Sequence, residues 1–166
     1  MVELYSGFFI LTRIHCVVRI EPMIKKLFSA KQSRVLFFVD VACAVICREG
    51  KILITLRRRK DHMGGLWEFP GGKRVAAESL EMCLKREARE ELHIDVKPVR
   101  LLKRIDHVYS DRGVSLYFYE CELLRGEPLP LKCAELRWVR PIELKRYAFP
   151  PADAAILEGL SRRKWV

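Results

Sequence analysis

Three glutamates in one short stretch are the residues of this sequence best suited to chemistry. Glu87, Glu90 and Glu91 are spaced i, i+3 and i+4, so their carboxylates lie on one face of a helix within a single turn. Like charges this close repel each other and destabilise a helix unless a cation offsets them. Mg²⁺ prefers carboxylate, water and phosphate oxygens, so the spacing favours a magnesium site that binds phosphates.

The same glutamates also suit a solvated acidic helix face. Arg86 and Arg89 are interleaved with them, and Arg86 could form a surface ion pair with Glu90. The helix alone therefore leaves both interpretations open.

Predicted strands and helices along the rest of the sequence would position this helix. Five runs rich in β-branched and aromatic residues predict strands, at 35–47, 51–56, 96–109, 114–124 and 136–139. The first two are joined by a Gly-containing turn, which predicts a hairpin, and the next two flank the turn at 110–113. Helices are predicted over 77–92, which lacks Gly and Pro, and from Pro151 to about Leu160. The predicted fold is a mixed β-sheet of the α/β class with helices packed on it.

A longer pattern of fixed spacings surrounds the glutamates. It comprises Gly72, Glu78, Arg86, Glu87, Ala88, Glu90, Glu91 and Ile94. This pattern resembles the Nudix box, Gly-x5-Glu-x7-Arg-Glu-U-x-Glu-Glu-x-Gly-U, in which U is apolar. One position departs, because His93 stands where the box has its last glycine. Histidine is among the non-glycine residues that adopt the left-handed conformation more readily, so the departure affects the loop after the helix and no metal ligand.

The resemblance extends along most of the chain, from about Val39 to Leu160, and is to the MutT branch, the 8-oxo-dGTP diphosphatases. The matching segments are Arg57, His62-Met63, 67–73, 110–112, 126–128, Trp138 and 149–152. The resemblance implies a Nudix-type α/β/α sandwich in which a loop-helix and a C-terminal helix pack on a mixed sheet. We expect this domain to occupy residues 35–166, after an extension of unknown role at 1–34.

The resemblance also implies a cofactor, Mg²⁺, for which Mn²⁺ could substitute. The implied metal ligands are the carboxylates of Glu87, Glu90 and Glu91 and the backbone carbonyl of Gly71. Glu87 is a candidate general base, and Glu135 is a second one. Lys132 stands where the branch has an acidic residue, which leaves the base unassigned. Gly72, Glu78 and Arg86 would be structural, the last two as an ion pair that orients the helix.

The same resemblance implies a set of residues that bind the nucleotide. They are Arg57, His62, Glu68, Phe69, Pro70, Gly71, Arg112 and Asp153. Other roles stay open for several of them: Arg57 could be a solvated strand end, Phe69 could fill the core, and His62 could be an inert loop residue.

Asp153 stands where the MutT branch has an asparagine that reads the oxidised purine. An ionised Asp only accepts hydrogen bonds, which suits the N1–H and amino group of guanine or the amino group of cytosine. In this respect the chain resembles the CTP and 5-methyl-dCTP pyrophosphohydrolases. A protonated Asp153 could still donate, and the residue could instead serve the first turn of the last helix.

Composition limits the remaining possibilities. The 166 residues suit one domain, and a net charge of +10 favours a phosphate-bearing partner without choosing among nucleotides, nucleic acids and membranes. None of the six cysteines forms a C-x-x-C pair, so we expect buried reduced thiols in a cytoplasmic protein rather than a zinc site. Residues 1–22 are too often interrupted by charges for a membrane span, and Met23 is a hypothetical natural start.

The predicted function is Mg²⁺-dependent hydrolysis of a nucleoside triphosphate, with 8-oxo-dGTP as the expected substrate, in nucleotide-pool sanitation. A CTP-type or broader triphosphate pyrophosphohydrolase is the alternative within the same class. A catalytically silent Nudix-like module or a general basic nucleic-acid binder are alternatives of other classes, but the intact glutamates favour an enzyme. We expect no stable nucleic-acid or membrane partner, and a monomer, with a dimer as the alternative.

Overall fold

The computed structural model describes residues 37–110 and 113–162. The extension predicted at 1–34 and the candidate nucleotide ligand Arg112 lie outside the described residues.

Seven strands of the described residues form one mixed sheet. They are β1 (Phe38–Arg48), β2 (Lys51–Leu56), β3 (Trp67–Glu68), β4 (Gly71–Lys73), β5 (Asp95–Val108), β6 (Gly113–Arg125) and β7 (Glu135–Val139). The order is β3-β2-β1-β6-β5, with β4 paired to β1 and β7 paired to β2. Strand β1 runs parallel to β6 and antiparallel to β2 and β4. The predicted hairpin at the start of the domain is confirmed as β1 and β2.

Helices cover both faces of this sheet. They are α1 (Leu80–Leu92) and α2 (Ala154–Ser161), with 3₁₀ segments at Pro141–Arg146 and Pro151–Asp153. Alternate residues of β1 face opposite layers: Ala42 and Ala44 pack with α1, whereas Cys43 and Val45 pack with α2. The predicted α/β/α arrangement is therefore confirmed, and the period-2 side-chain alternation of β1 explains why the strand is apolar on both faces.

The start of α1 differs from the prediction. The helix was predicted from residue 77 but begins at Leu80, because Ser79 is its N-cap and its Oγ accepts a hydrogen bond from the Met82 N–H at 3.1 Å. Ala77 has a left-handed backbone (φ 63°) and cannot be helical. The last helix also starts later than predicted, since Pro151 opens a 3₁₀ turn and the α-helix follows from Ala154.

The end of α1 shows how the sequence accommodates its departure from the box. His93 is the C-cap in a left-handed conformation (φ 57°, ψ 38°), and its backbone N–H bonds to the carbonyls of Ala88 and Arg89. The histidine therefore adopts the turn that the expected glycine would make, as its conformational preferences allow.

Two short strands occur where only turn chemistry was predicted, in the segment 67–73. Strand β4 pairs with β1 through Val41–Lys73, Ala42–Gly72 and Cys43–Gly71. Two- and three-residue strands show no periodicity, so pattern analysis could not find them. This pairing fixes the backbone of Gly71 against the centre of the sheet.

Gly71→Ala is expected to lower the free energy of unfolding by about 2 kcal/mol or more, whereas Gly159→Ala is its matched control. Gly71 has a φ of +151°, and an added Cβ would lie 2.0 Å from the Ala42 carbonyl oxygen. Gly159 lies within α2, where a Cβ meets nothing within 4 Å, so its replacement should be neutral or slightly stabilising. Urea denaturation measures both changes. Equal stability of the two variants would contradict the close approach of β4 to β1.

Two further expectations concerned reduced cysteines and the absence of a membrane-spanning segment. The five cysteines among the described residues are free thiols, with Cys43, Cys83 and Cys121 buried and Cys47 and Cys133 half-buried. Within 37–110 and 113–162, no helix is long and apolar enough to cross a membrane.

Candidate active site

A cavity of about 360 Å³ opens between β1, β4, β6, the face of α1 and the 3₁₀ turn at Pro151–Asp153. The predicted site residues that line it are Arg57, His62, Glu68, Phe69, Gly71, Gly72, Glu87, Glu91 and Asp153. Those outside its lining are Pro70, Glu78, Arg86, Glu90 and Glu135. The volume falls in the range of small-molecule sites, so metal-type carboxylates and nucleotide-type residues share one space of suitable size.

Two glutamates of α1 line the cavity. Glu87 and Glu91 project into it from α1, and the Gly71 N–H donates a hydrogen bond to Glu91 Oε2 at 3.4 Å. Burial, together with the negative charges of Glu87 and Glu68, raises the pKa of Glu91 to about 7. A side chain at position 72 would collide with the Glu87 carboxylate, only 2.3 Å from an added Cβ. The glycine therefore lets the β4 backbone approach the acidic helix face.

Arg86 holds this helix face against the preceding loop. Its Nε and Nη2 donate to the two carboxylate oxygens of Glu78 at 2.8 and 3.1 Å, and its Nη1 donates to Glu87 Oε1 at 2.6 Å. The Glu78 side chain is buried, and the guanidinium lowers the pKa of this carboxyl to about 2. The ion pair that the sequence suggested between Arg86 and Glu78 is present, and it is bidentate.

The three glutamates of the helix face do not converge as they stand. Within the described part of the chain, no three His, Cys, Asp or Glu side chains form a group that could hold a metal. Glu87 turns to Arg86, and Glu90 accepts from Lys132 Nζ at 2.7 Å. The donor set nevertheless fits Mg²⁺, because it consists of oxygen ligands. A divalent cation would also offset the effect of burial and of the negative charges of Glu87 and Glu68, which together raise the pKa of Glu91.

Two further acids, Asp153 and Glu68, line the same cavity. Asp153 is 7% exposed, and burial, with a smaller contribution from the negative charge of Glu68, raises its pKa to about 7. Asp153 is the N-cap of α2, yet its side chain makes no capping hydrogen bond. Arg57 forms an ion pair with Glu68, and its Nε donates to the His62 carbonyl at 2.7 Å. The carboxyl of Asp153 thus belongs to the cavity wall rather than to the helix end.

Phe69 packs in the core and also borders the cavity. Its ring lies 5.8 Å from Phe118 in an edge-to-face contact and 5.4 Å from Phe149, and it is 3% exposed. It packs in the core layer beneath α2 while part of it lines the cavity.

Two of the predicted site residues, Glu135 and Pro70, make their contacts outside the cavity. Glu135 forms an ion pair with Arg137 on β7 and does not line the cavity. Pro70 is buried, and its carbonyl accepts from the Ala44 N–H at 2.7 Å, which joins the turn to β1. The described geometry therefore brings Glu87, and not Glu135, to the cavity.

The cavity lining also contains residues outside the predicted site set, among them Cys43, Lys73 and Tyr109. Cys43 could have been found from the period of β1, because it shares a face with Val41. Lys73 directly follows Gly71 and Gly72, where a cation could meet a phosphate. Tyr109 directly follows β5, and its ring contacts His62 at a centroid distance of 6.3 Å.

Comparison with known proteins shows to which family this chain belongs. The NUDIX domain family model matches residues 41–159, a range that contains every residue lining the cavity except Val39. The chain belongs to the Nudix family. This Nudix chain is 31% identical over 125 residues to an 8-oxo-dGTP diphosphatase of Escherichia coli K12, covering 75% of the chain and 97% of that protein. It is 34% identical over 121 residues to a CTP pyrophosphohydrolase of the same organism, covering 73% and 90%.

Solved structures agree with the fold. The solution structure of the E. coli ORF135 protein has a TM-score of 0.66 at 32% identity, covering 74% of this Nudix chain and 88% of that one. A MutT protein from Methanosarcina mazei Go1 has a TM-score of 0.70 at 23% identity, covering 78% and 97%. The chain is a MutT-like Nudix hydrolase that acts on phosphoanhydrides.

Proposed function

We propose that this hydrolase cleaves 8-oxo-dGTP to 8-oxo-dGMP and pyrophosphate in a Mg²⁺-dependent reaction, through a domain spanning 35–166. The observation that carries the proposal is that Glu87 and Glu91 line the same cavity as Asp153 and Arg57. Carboxylates suited to a phosphate-bound cation and a polar group suited to a base thus line one space whose volume suits a small-molecule ligand.

The proposed mechanism assigns a task to each side of the cavity. Glu87, Glu90, Glu91 and the Gly71 carbonyl would hold Mg²⁺, which when bound neutralises phosphate charge as the phosphoanhydride breaks. Glu87 lines the cavity and would accept the proton of the attacking water. Arg86, at 2.6 Å from Glu87, orients that carboxylate.

The base would be read by Asp153. Its pKa of about 7 leaves a substantial protonated fraction at neutral pH, and a protonated carboxyl offers one donor and one acceptor, as an asparagine does. This supports recognition of an oxidised guanine. The observation that favours a second candidate, a cytidine triphosphate, is the similarity to a relative named CTP pyrophosphohydrolase. The amino group of cytosine needs an acceptor, which Asp153 would supply in its ionised form.

Pyrophosphate release from 8-oxo-dGTP, dGTP, dCTP, CTP and 5-methyl-dCTP, each with Mg²⁺ and with EDTA, tests the proposal. We expect release that EDTA abolishes, with the highest kcat/KM for 8-oxo-dGTP. A lead by the cytidine substrates would overturn the base assignment and establish the second candidate. Release that persists in EDTA would overturn the metal dependence.

A further inference from the structure

The acidic face of α1 is already paired with cations of the chain itself. Lys132 Nζ lies 2.7 Å from Glu90 Oε2, and Arg86 Nη1 lies 3.6 Å from Glu90 Oε1. Arg86 also contacts Glu87. Two of the three carboxylates proposed to hold a divalent cation are therefore occupied by ion pairs. Arg86 is also tied to the buried Glu78, whereas Lys132 contacts the face from outside the helix.

The backbone of Lys132 is anchored to the helix that carries Glu90. The N–H groups of Leu131 and Lys132 donate to the Glu91 carbonyl at 3.0 and 3.3 Å, and the Leu129 N–H donates to the Leu92 carbonyl at 2.9 Å. Arg58 Nη2 donates to the Leu131 carbonyl at 2.6 Å. The loop thus supplies hydrogen-bond donors to carbonyls at the end of α1, because no further helical turn follows to supply them. It also fixes the origin of the lysine side chain beside the glutamates.

The side chain itself has room to move. It is 51% exposed, and its partner Glu90 is 43% exposed, so water can replace either partner of the pair at small cost. A lysine is a flexible point charge with three donors, which a phosphate oxygen satisfies as well as a carboxylate does. A phosphate oxygen would therefore be an adequate replacement for Glu90 as the partner of the ammonium.

From these contacts we infer that Lys132 makes divalent-cation binding conditional on the nucleotide. In the free enzyme its ammonium competes with the cation for Glu90. When a triphosphate binds, the ammonium transfers to a phosphate oxygen and releases Glu90 for the metal. At a separation of roughly 6 Å, and even with the dielectric constant of water, repulsion between an ammonium and a divalent cation weakens cation binding about tenfold. Lys132 is thus a positioning residue of the site, and the inference rests on the proposed function.

Linkage gives this arrangement a measurable consequence. Because the lysine opposes the metal only while no nucleotide is present, metal and nucleotide must strengthen each other's binding by the same factor. Removal of the ammonium should therefore tighten metal binding to the free enzyme and reduce the coupling between the two ligands.

Mn²⁺ binding to the full chain, followed by electron paramagnetic resonance with and without an α,β-methylene dGTP analogue, tests the inference without turnover. Lys132→Met is expected to raise the Mn²⁺ affinity of the nucleotide-free protein about tenfold and to reduce the effect of the analogue. Lys132→Arg, which keeps the charge, should behave like the wild type. Lys97→Met is the matched control, because Lys97 forms a comparable exposed pair with Glu122 (3.3 Å) on the β5–β6 ladder.

An unchanged Mn²⁺ affinity in Lys132→Met would overturn the inference, as would an equal rise in Lys97→Met, which would indicate a general effect of net charge. In a Glu90→Gln background the Lys132 substitution should lose most of its effect, since the contested ligand is gone. Failure of the proposed function gives a different result: the wild-type protein would release no pyrophosphate, whatever its Mn²⁺ affinity.

Discussion

Glu91→Gln is expected to lower kcat for triphosphate hydrolysis by at least about 100-fold, as removal of a key electrostatic element typically does. Glu91 is half-buried, lines the cavity and accepts a hydrogen bond from the Gly71 N–H. Glutamine has the same shape and can still accept that hydrogen bond, so the substitution removes mainly a charge and a metal ligand. Initial rates of pyrophosphate release at saturating Mg²⁺ measure the effect.

A measurement of thermal stability distinguishes the loss of a metal ligand at Glu91 from a loss of folding. The folded protein raises the pKa of Glu91 to about 7, so the ionised carboxylate is unfavourable in the metal-free fold above that pH. Glu91→Gln should therefore leave the Tm at pH 8 unchanged or higher while activity falls. Glu81→Gln, on the same helix but outside the cavity lining, is the control and should retain activity. Near-normal turnover in Glu91→Gln would exclude Glu91 as a metal ligand.

Asp153→Asn is expected to raise the ratio of kcat/KM for 8-oxo-dGTP over that for CTP by about 100-fold at pH 8, since a site that hydrogen-bonds its substrate discriminates strongly against an unmatched partner. At that pH the wild-type carboxyl, with a pKa of about 7, is mainly ionised and only accepts. Asparagine supplies the donor at every pH. The ratio in the wild type should therefore fall as pH rises through 7, whereas the ratio in the variant should not. An unchanged substrate ranking would exclude Asp153 from base reading.

The same substitution should stabilise the protein in a pH-dependent manner. Below about pH 4 both the folded and the unfolded chain hold the Asp153 proton, so the residue makes no difference. Between pH 4 and 7 the unfolded chain releases the proton while the folded chain keeps it, and stability declines with rising pH. Above pH 7 the full penalty, on the order of 2 to 4 kcal/mol, is present, and Asp153→Asn should remove it. Urea denaturation of both proteins at pH 4 and pH 8 measures this difference.

The parts of the structure that follow from local pattern were predictable. The strands of the β1–β2 hairpin, the long strands β5 and β6, and helix α1 each carry a periodicity over several residues, which is the strongest signal in a single sequence. The box spacing identified Glu87 and Glu91, which line the cavity, because a helix converts sequence spacing directly into a shared face.

The parts that depend on distant contacts were not predictable. The ion pair of Glu87 with Arg86 depends on the side-chain conformations that the two residues adopt. The ion pair of Glu90 with Lys132 depends on a loop about 40 residues away. The raised pKa of Asp153 depends on burial beneath several elements, which no local pattern reveals. Strand β4 gains its form from pairing with β1 rather than from its own three residues.

The parallel pairing of β1 with β6 has a consequence for how the protein folds. Ten consecutive pairs, from Phe38–Gly113 to Cys47–Glu122, join residues 75 positions apart. Contacts of such long sequence separation require an unfavourable loop closure before they stabilise anything, and they slow folding. The β1–β2 hairpin and α1 can form locally, but the cavity has walls from both β1 and β6. We therefore expect the cavity to be complete only once β1 and β6 have paired, and a refolding chain to acquire activity no earlier than that closure.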